Sequence, residues 1–248
     1  MTKMVKAGVF DSGVGGLSVV KSILKEGIFK EIIYYGDTAR VPYGPKDKNT
    51  ITRYALEALE FFKNFDIDIL IIACNSVSAF AIEELRKVAS FPVVGVIEPG
   101  AIALRNNIKN KDAKILITGT KATINSKRYK KILENFGYRN LLQVATPLFV
   151  SLVEEDIFEG KVVDSVMEHY FNGIGNIDAL ILGCTHFPLL EKEYKNFFGN
   201  IALIHSGDAI VEYLKNSFQC KKSFQDTKIS YYATENPDHL KDVANKWL

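Results

Sequence analysis

One strand pattern occurs twice in this chain. Asp68-Ile69-Leu70-Ile71-Ile72-Ala73-Cys74-Asn75 and Asp178-Ala179-Leu180-Ile181-Leu182-Gly183-Cys184-Thr185 share one order: an Asp, four mostly branched apolar residues, a small residue, a cysteine and a small polar residue. An apolar run without alternation reads as a strand buried on both faces, the condition of a parallel sheet. Each cysteine then falls where its strand ends, on the edge at which open α/β sheets place ligands. Two copies of such a scaffold can set two thiols facing each other across one cleft. That geometry suits proton chemistry on both faces of a single carbon.

Strand-like and amphipathic helical stretches alternate along the whole chain, which implies βαβ units with right-handed crossovers. In the first half the pattern predicts strands at Val5–Phe10, Glu31–Tyr35, Ile69–Ala73 and Val93–Val96. Helices are predicted over about 15–26, 50–64 and 77–88. The pattern restarts with strands at Lys114–Thr118, Leu141–Ala145, Ala179–Leu182 and Ala202–Ile204, and a helix over about 126–136. Glu98-Pro99-Gly100 interrupts the pattern and marks the expected crossing between halves. The tail from Asp208 reads as a helix, a strand at Ile229–Tyr232 and a last helix ending at Trp247, and is expected to return to the first half. The predicted fold class is therefore α/β, with two pseudo-symmetric lobes. Each has a mostly parallel sheet flanked by helices, and the active site lies in the inter-lobe cleft. The lobes are expected at 1–97 plus 208–248, and at 98–207.

Composition narrows the function classes. A net charge of +2 over 248 residues gives no electrostatic reason to bind nucleic acid or an anionic membrane surface. No apolar run approaches the roughly 20 residues that cross a bilayer. Met1–Lys6 leads straight into a strand, without the apolar core or cleavage site of a secretory leader. Three cysteines, an odd number, make no disulfide framework and read as free thiols in a reducing cytoplasm. With no CxxC pair and no histidines at ligand spacing, no metal site is expected.

Either cysteine alone reads more readily as a small core residue than as a reactive group. The packing explanation weakens because both recur at equivalent strand ends, each followed by polar residues: Asn75-Ser76 and Thr185-His186. Cys220 has no such setting. A thiol works as a base only when ionised, and its ordinary pKa of about 8.5 calls for help from backbone N–H groups at the strand-to-helix turn. His186 is placed to assist Cys184, or else to cap the turn before Pro188. Asp11-Ser12-Gly13-Val14-Gly15-Gly16 fails the dinucleotide fingerprint, since Ser18 stands where a glycine is required. Its glycines fit a tight turn against a small ligand, with Asp11 receiving a cationic amine or capping the helix. Thr118, Thr120 and Thr123 cluster at the matching edge of the second half. Capping explains one of them, and three hydroxyls together suit an anion such as a carboxylate.

Several motifs, taken in order, resemble the bacterial glutamate racemases of the aspartate/glutamate racemase family. They are Phe10-Asp11-Ser12-Gly13-Val14-Gly15-Gly16-Leu17, Tyr35-Gly36-Asp37-Thr38-Ala39, Val41-Pro42-Tyr43-Gly44, Ala73-Cys74-Asn75-Ser76, Gly119-Thr120 with Thr123, and Leu182-Gly183-Cys184-Thr185-His186-Phe187-Pro188-Leu189. The resemblance implies a cofactor-independent enzyme that interconverts L- and D-glutamate and supplies D-glutamate for peptidoglycan. It implies Cys74 and Cys184 as the acid/base pair, with Asp11 and His186 as auxiliary groups. A carboxylate behind the histidine would come from Glu154 or its neighbour Glu155. It implies substrate contacts from Ser12, Tyr43, Gly44, Asn75, Ser76, Thr120, Thr185 and His186, to which the residues themselves add Asp11, Thr118 and Thr123, and it implies a homodimer. Two positions depart from the family pattern: Ser76 where Thr is frequent, and Asp156 where Gly is frequent.

The rival readings are a related two-cysteine racemase acting on aspartate or a hydantoin, and a non-catalytic two-lobe small-molecule binding protein. A pyridoxal enzyme would need a Schiff-base lysine, and neither cysteine-bearing strand end carries one.

Overall fold

A computed structural model describes residues 4–248; the first three residues of the N-terminal stretch lie outside the described residues. The strands among the described residues are β1 (Lys6–Asp11), β2 (Glu31–Gly36), β3 (Ile69–Ile72), β4 (Val93–Gly95), β5 (Ile115–Gly119), β6 (Leu141–Ala145), β7 (Ala179–Gly183), β8 (Ala202–His205) and β9 (Lys228–Ala233). They form a five-stranded sheet in the order β4-β3-β1-β2-β9 and a four-stranded sheet in the order β6-β5-β7-β8. Every neighbouring pair is parallel. In each sheet the order reverses between two central strands, β1 and β3 in one, β5 and β7 in the other. Ligands of open α/β sheets bind at that reversal. Cys74 comes just after β3 and Cys184 just after β7, so both thiols stand there.

The repeated aspartate has a structural explanation at the opposite end of each strand. Asp68 Oδ2 accepts from the backbone N–H groups of Val5 and Lys6, at 2.6 and 2.8 Å. Asp178 Oδ2 accepts from the Lys114 N–H at 2.7 Å. Each carboxylate thus clamps the start of the adjacent central strand and fixes its register, because a slip would unpair a charge-assisted bond. The motif therefore joins a register clamp at one strand end to a thiol at the other.

Local corrections to the sequence reading cluster at helices. The helix expected over 77–88 is two, Asn75–Phe80 and Ile82–Val88. Ser78 donates to the Ile72 carbonyl and accepts from the Val96 N–H, which ties the first helix to the ends of β3 and β4. The segment expected over 126–136 is also divided, into Lys121–Asn125 and Arg128–Asn135, with Lys127 left-handed between them. Glu98-Pro99-Gly100 is no loop; it forms the first turn of the helix Ile97–Asn107, where proline leaves no intrahelical bond unmade. That helix packs on Ser206–Ser217, which packs in turn on Leu17–Glu26. One apolar core runs through both sheets' surroundings, from Val9, Leu17 and Val20 to Leu182, Phe187 and Ile210. β9 pairs with β2, so the tail completes the five-stranded sheet.

No helix among the described residues is long and apolar enough to cross a membrane. Asp68→Ala is expected to lower stability by about 2–3 kcal/mol, since it strips two backbone donors of a charged acceptor. Asp178→Ala, at a more exposed site with one such bond, is expected to cost about 1 kcal/mol. Urea midpoints at unchanged slope measure both.

Candidate active site

The cleft between the lobes is lined by Ser12, Val41, Pro42, Tyr43, Gly44, Cys74, Asn75, Ser76, Thr120, Val150, Cys184, Thr185 and His186. Its enclosed space is about 20 Å³, room for roughly one water. Both catalytic-candidate cysteines are nearly buried, each at 6% exposure.

The two sulfurs have different company. Cys74 Sγ lies 3.5 Å from Ser12 Oγ. Burial pushes its pKa up to about 12, with the Asp11 carboxylate adding to the rise, while Ser12 and the Val77 N–H oppose it. The helix dipole expected to favour a thiolate here is outweighed: the adjoining helix is short and the sulfur is cut off from water. Cys184 Sγ lies 3.6 Å from His186 Nδ1, and His186 Nε2 lies 2.6 Å from Glu154 Oε1. Burial opposes the imidazolium, but its bonds to Cys184 and Glu154 prevail and the pKa is pushed up to about 10. Its partners thus favour the protonated form of His186, which stands beside the Cys184 sulfur. Behind Cys184 there is only a short 3-10 turn, Phe187–Leu190, so the histidine takes the place of the helix terminus expected there.

Asp11, fully buried at the end of β1, accepts from the Gly13 N–H at 3.0 Å and faces Thr185 Oγ1 at 3.4 Å. Burial raises its pKa; the His186 charge and the Gly13 and Gly16 N–H groups hold the rise in check. It does not cap the next helix, whose cap position is Gly16. The glycine turn is shaped by contact. A Cβ on Gly15 would sit 2.4 Å from Thr185 Oγ1 and 2.6 Å from His186 Cε1. Only a residue without a side chain lets the first lobe close on the second there.

The remaining candidates divide. Ser76 Oγ meets Thr120 Oγ1 at 2.8 Å across the cleft. Thr120 also caps the helix Lys121–Asn125, and Thr123 stands behind it at 3.1 Å, outside the lining. Tyr43 lines the cleft with its ring, while its hydroxyl bonds Asp37, which also pairs with Arg40 at 2.7 Å. Thr118 does not reach the cleft. Alternation along β5 turns it to the Leu116 face, beside the Tyr194 hydroxyl. Between the two glutamates, the one that touches His186 is Glu154; Glu155 is exposed at the helix end. Val150, absent from the sequence reading, lies one turn before Glu154 on the same helix face, a spacing that points to it once Glu154 is placed. Among the described residues no group of His, Cys, Asp and Glu is arranged to hold a metal ion.

The chain is similar to proteins of one known family. Residues 19–214 match the Asp/Glu/Hydantoin racemase family. The glutamate racemase of a Nitratiruptor species is 60% identical over 245 residues, covering 98% of this chain and 96% of that protein. The crystal structure of glutamate racemase from Campylobacter jejuni subsp. jejuni superposes with a TM-score of 0.97 at 53% identity, covering 98% of each chain. Glutamate racemase from Francisella tularensis in complex with D-glutamate superposes at 0.86 with 32% identity, covering 100% of this chain and 94% of that one.

Glu154→Gln is expected to move the His186 pKa from about 10 back toward 6.5, read from the imidazole resonances in an NMR titration. The raised pKa also fixes the sign of the stability effect. The contribution of this pair is complete below about pH 6.5 and fades as the pH rises through about 10. Destabilisation by Glu154→Gln is therefore expected to be largest near neutral and mildly acidic pH and to shrink above pH 10.

Proposed function

The chain belongs to the Asp/Glu/Hydantoin racemase family, and from that membership we propose that it interconverts L- and D-glutamate by a two-thiol acid/base mechanism without a cofactor. The observation that carries the reading is the pair of buried cysteines opening on one enclosed space with opposite electrostatic partners. Membership in a racemase family also sets aside the non-catalytic binding protein.

In the proposed reaction Cys184, as thiolate beside the His186 imidazolium, takes the α-proton of L-glutamate. The C–H electron pair remains on the α-carbon, and the Cys74 thiol delivers its proton to the opposite face. Cys184 is left as thiol and Cys74 as thiolate, and the D-isomer runs the same steps in reverse. The pKa near 12 keeps Cys74 protonated beforehand, as a donor must be. Asp11 answers the substrate ammonium: a cation beside it removes the carboxylate's repulsion from the Cys74 sulfur just when that sulfur becomes negative. Ser12, Tyr43, Gly44, Asn75, Ser76, Thr120, Thr185 and His186 surround the substrate, with Thr123 supporting Thr120. Hydrogen-bond donors preset in a dry cleft stabilise the carbanionic transition state more than water would.

The reading extends to a homodimer in the cytoplasm that supplies D-glutamate for peptidoglycan, and to lobes of 1–97 with 208–248 and of 98–207. The decisive experiment incubates the protein with L-glutamate, and separately with L-aspartate, in D2O. Expected is loss of circular dichroism on glutamate with one deuterium at the α-carbon, unaffected by hydroxylamine. Turnover of aspartate alone would overturn the substrate. Cys74→Ser and Cys184→Ser are each expected to lower kcat by roughly a thousandfold or more while glutamate still binds. Full activity in either variant would end the two-thiol mechanism.

A further inference from the structure

A buried polar chain joins the two cysteine-bearing turns away from the reacting face. The Tyr129 hydroxyl donates to Asn75 Oδ1 at 2.9 Å, and Asn75 Nδ2 donates to Ser206 Oγ at 3.1 Å. Ser206 Oγ in turn donates to the Leu182 carbonyl at 3.5 Å. All three side chains are buried, so water does not compete for these bonds. Asn75 directly follows Cys74, whereas Leu182 and Gly183 directly precede Cys184. The Tyr129 ring rests on that second turn, since a Cβ added at Gly183 would lie 3.5 Å from its Cε2. On its other side a Cβ at Gly100 would lie 3.0 Å from the Tyr129 hydroxyl. Tyr129 therefore grips the residue after one cysteine while bracing the residue before the other. Burial raises its pKa, which keeps the hydroxyl a donor throughout the working pH range.

We propose that Tyr129 and Ser206 are positioning residues that set the separation of the two thiols by holding the Asn75 side chain across the lobe boundary. The Asn75 amide gives its oxygen and one N–H to this clasp and keeps a second N–H. Proton delivery to a short-lived carbanion depends steeply on distance, so a misplacement well under the size of an atom is felt in rate more than in binding. The clasp rests on the two-thiol reading above. It adds the element that makes two separate strand ends act as one site. Neither residue carries chemistry of its own in this scheme.

The test uses Tyr129→Phe, Ser206→Ala and Ser206→Thr in the full chain, with L- and D-glutamate in D2O. Tyr129→Phe keeps the ring and removes only the hydroxyl. Expected for it and for Ser206→Ala is a fall in kcat of about tenfold in both directions, with KM within about twofold. Deuterium should also enter the uninverted isomer faster relative to inversion, because the abstracting thiol exchanges with solvent before the opposite thiol delivers. Ser206→Thr, which keeps the hydroxyl, is expected to retain more of the wild-type rate than Ser206→Ala. Unchanged kcat in Tyr129→Phe and Ser206→Ala overturns the proposal. So does a loss of rate that tracks a lowered thermal midpoint while the exchange-to-inversion ratio stays at the wild-type value. Failure of the wild-type protein to turn over glutamate is a separate result, and it strikes the two-thiol reading itself.

Discussion

Burial of ionisable groups in one closed crevice governs this structure. Asp11, Cys74, Cys184 and His186 are all withdrawn from water, and a charge there is tolerated only when something nearby answers it. His186 is answered by Glu154 and by the Cys184 sulfur. Asp11 is answered by backbone N–H groups and, at a distance, by His186. Cys74 has a hydroxyl for company and a carboxylate for a neighbour, so it stays neutral. These partners make the surroundings of the two sulfurs electrostatically different before any ligand arrives.

That pattern is asymmetric although the scaffold is nearly symmetric. Both lobes present parallel strands, a switch point and a cysteine at the same place, and both secure the neighbouring strand with an aspartate. The difference lies in the residues just beyond each sulfur. After Cys74 comes a helical turn in which Ser78 and Asn75 are spent on structure. After Cys184 comes a 3-10 turn that swings His186 back against the sulfur. A duplicated fold supplies two equivalent positions, and the first residues beyond each strand decide their chemistry.

Much of this was legible in the chain because doubly buried strands leave an unbroken apolar signature. The repeated Asp-apolar-Cys run located a strand of each sheet and both thiols at the ligand-binding strand ends. What escaped needed information on facing and on neighbours. Thr118 belonged to the right strand end, but alternation along β5 puts it on the Leu116 face, whereas Thr120 lies past the end of the strand and caps the next helix. Pro99 read as a break because a proline in the first helical turn and a proline in a loop look alike in sequence. The clamp role of Asp68 and the spending of the Asn75 amide on Tyr129 and Ser206 depend on partners far away in the chain. No local pattern announces them. Glu154 and Glu155 became distinguishable only when the helix phase put one of them against His186.

The small volume of the closed cleft adds a last constraint. A crevice that holds roughly one water desolvates its charges strongly, which is the source of the raised Cys74 pKa. Any opening would let water back in and weaken each of the interactions around the sulfurs. The same contacts therefore have to be strong enough to order the site and few enough to release it. Direct polar contacts across the lobes fit that balance: Ser76 with Thr120, Asn75 with Tyr129 and Ser206, and Asp11 with Thr185. They are short-range and vanish over a small displacement, whereas the apolar core beneath them runs on through both lobes. Any parting of the lobes would therefore act first on these hydrogen bonds, which also hold the two cysteine-bearing turns in register with each other.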